Sequence, residues 1–126
     1  MPIGVERLKK RADFLRVASV RRKWAAPGLV LQAAPAPEDA NREISRIGIT
    51  VTKKVGNAVI RNRVKRRLRA AARDIIPLHG QAGWDYVLIG RQATVNRDFM
   101  DLEADLVTAI DKMAKKNSGE RRRRND

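Results

Sequence analysis

At 126 residues the chain has the length of one ordinary domain, and with 43% hydrophobic but only 4% aromatic residues its core must come mainly from Ile, Leu, Val and Ala. The 28 Lys and Arg against 14 Asp and Glu give a net charge of +14, which points to a polyanionic partner, nucleic acid first, because self-repulsion on this scale destabilises a small domain that lacks one. The absence of Cys excludes disulfides and thiolate metal sites, and no early apolar run or membrane-length apolar stretch is present; the expectation is a cytoplasmic chain with no membrane partner.

In chain order, Leu8, Ala12 and Leu15 recur at helical spacing and predict a short amphipathic helix over residues 5–19. Phe14 falls off that stripe and either borders the core or stands exposed. Residues 28–34 read as a strand, followed by a polar, proline-broken loop through Pro35 and Pro37. Residues 46–52 alternate, Ile47, Ile49 and Val51 on one face and Arg46, Gly48, Thr50 and Thr52 on the other. The second face is small and basic, which leaves room for a ligand against the sheet. A helix is predicted over 57–76, closed by Pro77, and a strand over 84–90 whose run Tyr86, Val87, Leu88, Ile89 implies burial on both faces. His79 reads as a surface loop residue.

The last helix, over 96–116, places Phe99, Leu102, Leu106, Ile110 and Met113 on one stripe. Its acids Asp98, Asp101, Glu103, Asp105 and Asp111 read as a solvated face. Residues 117–126 hold four consecutive arginines and no apolar residue, and are expected to be a basic disordered tail behind a single RNA-binding domain over 1–116. The order helix, strand, strand, helix, strand, helix indicates an α+β fold: a two-layer sandwich of a small mixed sheet with three helices and room for one extra short strand.

Between residues 53 and 73 stand nine cations, Lys53, Lys54, Arg61, Arg63, Lys65, Arg66, Arg67, Arg69 and Arg73, with no acid among them. At 3.6 residues per turn, Ile60, Val64, Leu68, Ala71 and Ile75 form a core-facing stripe and Arg61, Asn62, Lys65, Arg66, Arg69 and Arg73 fall opposite. Cations four apart on a helix repel by a few tenths of a kcal/mol. Selection for stability alone would have interleaved acids, so the face is expected to meet phosphates, which guanidinium forks grip at two oxygens. Asn62 adds a donor and acceptor for a sugar hydroxyl or base edge. Arg67, near the apolar stripe, should lay its stem along the flank. The turn through Gly56 and Asn57 has two readings, an anion site at the free N–H groups of the first turn or a simple capped turn.

The string from Arg46 through Lys53, Lys54, Gly56, Asn57, Arg61, Asn62 and Arg63 to Lys65 and Arg66 resembles the signature of the protein subunit of bacterial ribonuclease P, whose hallmark is an Arg-Asn-Arg segment on a basic helix. Similarity extends over about residues 5–113. The resemblance implies a ribosomal-protein-like fold with a left-handed βαβ crossover. It also implies an accessory protein without catalytic residues, cofactor or metal of its own, whose partner, a catalytic RNA requiring Mg2+, removes the 5′ leader of precursor tRNA. Carried over to this chain, Lys53, Lys54, Asn57, Arg61, Asn62, Arg63, Lys65, Arg66 and Arg69 would meet the catalytic RNA. A cleft at Phe14, Ala18, Gln32, Arg46, Thr50 and Thr52 would take the substrate leader. Ala18 and Gln32 stand where the family often has aromatics. Phe14 is then open to two readings, core edge or base-stacking contact.

A Cys nucleophile and a His pair are both missing, which argues against a protein-only nuclease, and no small-molecule substrate is expected. Two rivals share the charge: a ribosomal or RNA-chaperone protein, and a nucleoid-type DNA binder.

Overall fold

The structure, a computed structural model, describes residues 2–125, with side chains as far as 114; the expected tail over 117–126 lies outside the residues described in full. Its elements are β1 (Gly4–Arg7), α1 (Arg11–Ser19), β2 (Lys23–Ala25), β3 (Leu29–Pro35), β4 (Ile44–Thr50), α2 (Ala58–His79), β5 (Trp84–Gly90) and α3 (Phe99–Asn125), with 3-10 turns at Lys53–Val55 and Gln92–Val95. One five-stranded sheet runs in the order β1-β4-β5-β3-β2. Strands β1 and β5 flank β4 in parallel, while β3 pairs antiparallel with both β5 and β2, so the sheet is mixed.

Alternation sorts the strands into two faces. Leu29, Leu31, Ala33, Ile47, Tyr86 and Leu88 point to one side, where they meet Val64, Leu68, Ala72 and Ile76 of α2 and Leu102, Leu106, Ile110 and Met113 of α3 in the main core. The predicted stripes of both helices are therefore the buried ones. On the opposite side Ala34 and Val87 pack with Leu8 and Val17, and Phe14 and Ile89 border this smaller cluster beneath α1.

Several expectations are corrected. The first helix starts at Arg11, because residues 4–7 extend instead along β4, with register Gly4↔Ile44 to Arg7↔Ile47. Ala12 and Leu15 consequently face solvent while Phe14 and Val17 turn inward: three residues apart on one face, they bury the larger ring. Two short strands, β1 and β2, join the sheet where one was allowed for; at four and three residues neither is long enough to show a period. Strand β4 ends at Thr50, and Lys53 and Lys54 lie in a 3-10 turn rather than on the strand. Pro77 does not close α2, which continues to His79. A proline this near the end removes one helical bond, and its carbonyl accepts the Ile3 N–H at 2.9 Å, tying β1 to the helix.

The acids of α3 are not all a solvated face. Asp98 accepts from the Met100 and Asp101 amides at 3.0 and 3.2 Å as the cap of the helix. Asp105 is buried: it accepts from the Gly28 amide at 2.9 Å and from Arg97 Nε at 2.9 Å, and Thr94 donates to the Gly28 carbonyl at 2.6 Å. The turn between β2 and β3 is thereby fixed to the start of α3.

Glu103 stays near the surface, where a hydrogen bond with Asp74 of α2, with burial and mutual repulsion adding, holds its carboxyl above the usual range. A raised acid means that the folded state binds the extra proton; stability is full below the ordinary Glu value and falls as pH rises through the raised one. Glu103→Gln is thus expected to raise the urea midpoint at about pH 7, with the gain fading at about pH 4. An equal gain at both pH values would show that the carboxyl pair is not its source.

Candidate nucleic-acid interface

Helix α2 is built with two faces. Val64, Leu68, Ala71, Ala72 and Ile76 are buried, whereas Asn62, Arg63, Arg66, Arg69 and Arg73 are exposed and Arg61 and Lys65 half-buried. None of these exposed or half-buried cations forms an ion pair with an acid among the described residues. The Nε of Arg61 is buried without a hydrogen-bond partner, its stem being drawn against the fold. Arg67 behaves as its position predicts, with its guanidinium 6.0 Å from the centre of the Phe99 ring and donating to the Arg97 carbonyl.

The turn into the helix resolves toward capping: Asn57 Oδ1 accepts the Ile60 N–H at 3.0 Å. Gly56 is required by close approach, since a Cβ there would lie 2.9 Å from the Ile60 side chain. Lys53 and Lys54 are exposed just ahead of the cap, so their charges and those of the first helical turns lie along one continuous stretch of chain.

The sheet face under α1 brings together most of the second set. Arg46 and Asp85 are direct neighbours across β4 and β5, as are Gly48 and Val87, and Thr50 and Ile89; on the other side Gln32 pairs with Val87 and Val30 with Ile89. Gly48, Val87 and Gln32 therefore form one row across the sheet, and Thr50, Ile89 and Val30 the next. The nine-residue α1 covers only part of this face, leaving Val30, Gln32, Thr50 and Ile89 half-exposed. Phe14 lies against Gly48, where a Cβ would collide with its ring. It is half-buried, so the structure makes it a core-edge residue with one side open. Ala18 is exposed on α1, and Thr52 stands beyond the end of β4, exposed at the entry to the 3-10 turn.

Beneath α1 lies an ion-pair network that the sequence did not reveal. Asp85 is fully buried; it accepts from Arg46 Nε at 2.9 Å and from its terminal nitrogen at 2.7 Å, and from Arg16 of α1. Asp13 completes it, 3.5 Å from Arg46 and 3.6 Å from Arg16, and Arg16 also donates to the Pro35 carbonyl at 2.9 Å. The hydrogen bonds that Arg46 donates to Asp85 are the main cause that raises its pKa, with Asp13 adding to it and burial opposing it. Arg46 is a positive charge at every accessible pH, held laterally within the floor of the cleft. The signal that could have found Asp85 is an acid inside a strand read as buried on both faces, which demands a cationic partner.

Around the outer edge of β4 a cleft of about 280 Å³ opens between β1, the start of α1 and α2. Its neighbours include Leu8 and Phe14 on one side of the sheet edge and Ile49, Arg69 and Arg73 on the other. Among the described residues no group of His, Cys, Asp and Glu is placed to hold a metal ion, and no helix is long and apolar enough to cross a membrane.

A small mixed sheet with a one-sided cationic helix on one face and a partly open cleft on the other defines a polyanion-binding α+β protein. Comparison with known proteins is more specific. The family model described as Ribonuclease P matches residues 4–114. The Ribonuclease P protein component of Paramagnetospirillum magneticum is 57% identical over 111 residues, 87% of this chain and 84% of that protein. Among solved structures, the Staphylococcus aureus RNase P protein superposes with a TM-score of 0.68 at 30% identity, covering 86% of this chain and 94% of that one. The Thermotoga maritima RNase P protein gives 0.64 at 28% identity, covering 82% and 93%. The chain belongs to the ribonuclease P protein family, and its role as a component of ribonuclease P in tRNA 5′ processing follows from that membership.

The seat of Phe14 is open to a direct test. Gly48→Ala is expected to cost about 1–3 kcal/mol by overpacking. In a Phe14→Ala background, where the ring is gone, most of that cost should disappear. Urea unfolding of the four proteins in a double-mutant cycle measures the coupling, and additive effects would show that the ring does not rest on Gly48.

Proposed function

We propose that this protein is the accessory subunit of a ribonucleoprotein in which RNA carries out the phosphodiester hydrolysis, and that its two charged surfaces divide the work. The exposed face of α2, with Lys53, Lys54 and Asn57 ahead of it, docks on the catalytic RNA through Arg61, Asn62, Arg63, Lys65, Arg66 and Arg69. Arginine forks neutralise backbone phosphates there, and this screening lets the RNA hold its fold and its Mg2+ sites at lower metal concentration. The protein itself supplies no cofactor and no catalytic group. In the cytoplasm its substrate partner is precursor tRNA, whose single-stranded leader lies across the open rows of the sheet beside Phe14, Ala18, Gln32 and Thr50, next to Arg46, whose guanidinium Asp85 and Asp13 hold in place.

The observation that carries this reading is the unneutralised face of α2: exposed cations with no acid paired to them among the described residues. Departures from the family pattern bear on the cleft. With Ala18 and Gln32 in place of aromatics, stacking falls to Phe14, while Gln32 can hydrogen-bond a base edge. Leader binding is then more polar and less dependent on stacking, each stacked base being worth about 1–3 kcal/mol.

Two measurements test the assignment. Removing charge at Arg61, Arg63 and Arg66 should flatten the dependence of RNA affinity on salt, by roughly 0.7–0.9 in log-log slope for each phosphate no longer neutralised; an unchanged slope would place the RNA elsewhere. In reconstitution, adding the protein to its cognate ribonuclease P RNA should raise precursor-tRNA cleavage at low Mg2+. No improvement would refute the accessory role, and a general RNA chaperone would improve unrelated RNAs equally.

A further inference from the structure

The cleft at the outer edge of β4 lies between the two surfaces just assigned, sharing Phe14 with one and Arg69 with the other. It exists because β1 is short: its pairing with β4 stops at Arg7↔Ile47, one further bond runs from the Leu8 N–H to the Ile47 carbonyl at 2.9 Å, and the chain then turns away into α1. From Gly48 onward no strand among the described residues lies beside the outer edge of β4. Because parallel-strand neighbours alternate in direction, the main-chain groups of Ile49 point the same way as the Ile47 carbonyl that Leu8 uses, toward the cleft.

The walls are of two kinds. Val5, Ile47, Ile49 and Ala72 make an apolar slot between the sheet edge and α2, and Leu8 and Phe14 line it from the other side of that edge. The rim carries Arg7 from β1 and Arg69 and Arg73 from α2, all exposed, and among the described residues none is taken up by an ion pair or side-chain hydrogen bond. Among the described residues Glu6 is the one acid that lines this mouth. A cavity of about 280 Å³ lies near the lower end of small-ligand pockets, roughly 300–1,000 Å³. An occupant must be compact, flat and apolar at one end and anionic at the other.

We infer that this cleft is a nucleotide pocket: one unpaired nucleotide of bound RNA inserts its base into the apolar slot, with its phosphates held by Arg7, Arg69 and Arg73. The inference rests on the reading that α2 docks on RNA, and adds to it a base-holding site at the end of the same helix. Main-chain N–H and C=O groups of the Ile49 edge are there to hydrogen-bond a base edge, and the Phe14 ring offers a stacking surface. Phe14 then separates two compartments, the leader cleft on one side and this slot on the other.

Methyl-labelled full-length protein, titrated with a single-stranded RNA tetranucleotide and with an abasic ribose-phosphate chain of the same length, separates base from phosphate. The tetranucleotide is expected to shift the Val5, Ile47 and Ile49 methyl signals saturably, and the abasic chain to leave them in place while perturbing the amides of Arg63 and Arg66. Arg7→Ala and Arg73→Ala should each weaken the methyl-detected binding by about tenfold or more, the range for removing one hydrogen bond to a charged group. The pocket assignment is overturned if the two chains act alike on these methyls, or if an acidic peptide saturates them more tightly than RNA. Retained perturbation at Arg63 and Arg66 in that case leaves the RNA-docking role of α2 intact. Loss of both responses fails that reading as well.

Discussion

Helix α2 has to hold a cationic face and a core face on the same 22 residues, and the balance between repulsion and burial on it governs the rest of the fold. The cation pairs Arg61 with Lys65, Lys65 with Arg69, Arg69 with Arg73 and Arg63 with Arg67 each oppose the helix by about 0.2–0.5 kcal/mol. Burying Val64, Leu68 and Ile76, all with 0% exposure, contributes about 1.5–3 kcal/mol for each side chain. Packing wins by several-fold, so the charged face persists only because the helix is docked. The parallel strands β4 and β5 that it joins provide that docking surface, with α3 closing the other side.

The opposite sheet face works under a different constraint. A helix of nine residues with only Val17 fully buried has little apolar area with which to attach itself. Asp85 supplies what apolar contact does not. Its carboxylate, withdrawn from water, takes Arg46 from the neighbouring strand and Arg16 from α1, and so ties the helix to the sheet through a charge that would be costly if left alone. Ion pairing is directional where apolar packing is not. It fixes α1 over one end of the face and leaves the rows of Gln32 and Thr50 half-open at the other. The same interaction that attaches α1 therefore shapes the cleft.

Much of this was legible in the sequence. The period of α2 separated its buried and charged sides, the alternation at Ile47, Ile49 and Arg46 assigned the two faces of β4, and the apolar run of β5 matched its bounds, Trp84–Gly90. What was not legible depends on partners distant along the chain. Strands of four and three residues carry no period of their own, and β1 is defined only by Ile44 to Ile47 beside it. Burial of Asp105 follows from the Gly28 amide, and burial of Asp85 from Arg16, 69 residues away. Composition treats such acids as surface. Only the register shows that each lies opposite a cation or a free N–H.

The stretch from β4 through the glycine turn into α2 unites these constraints. Its strand carries Arg46 into the ion pairs below α1, presents Gly48 as the seat for Phe14, and leaves its outer edge bare where β1 ends. A few residues on, Asn57 caps the helix whose exposed residues between Arg61 and Arg73 are all cations or Asn62. A substitution anywhere in this stretch is felt at more than one surface. A side chain at Gly48 displaces the ring that borders both cleft and slot, and one at Gly56 meets Ile60 and re-aims the helix. The exposed cations of the surface stand on a backbone that the glycines and Asn57 fix beneath them, so charge and fold impose their demands on one short stretch of chain.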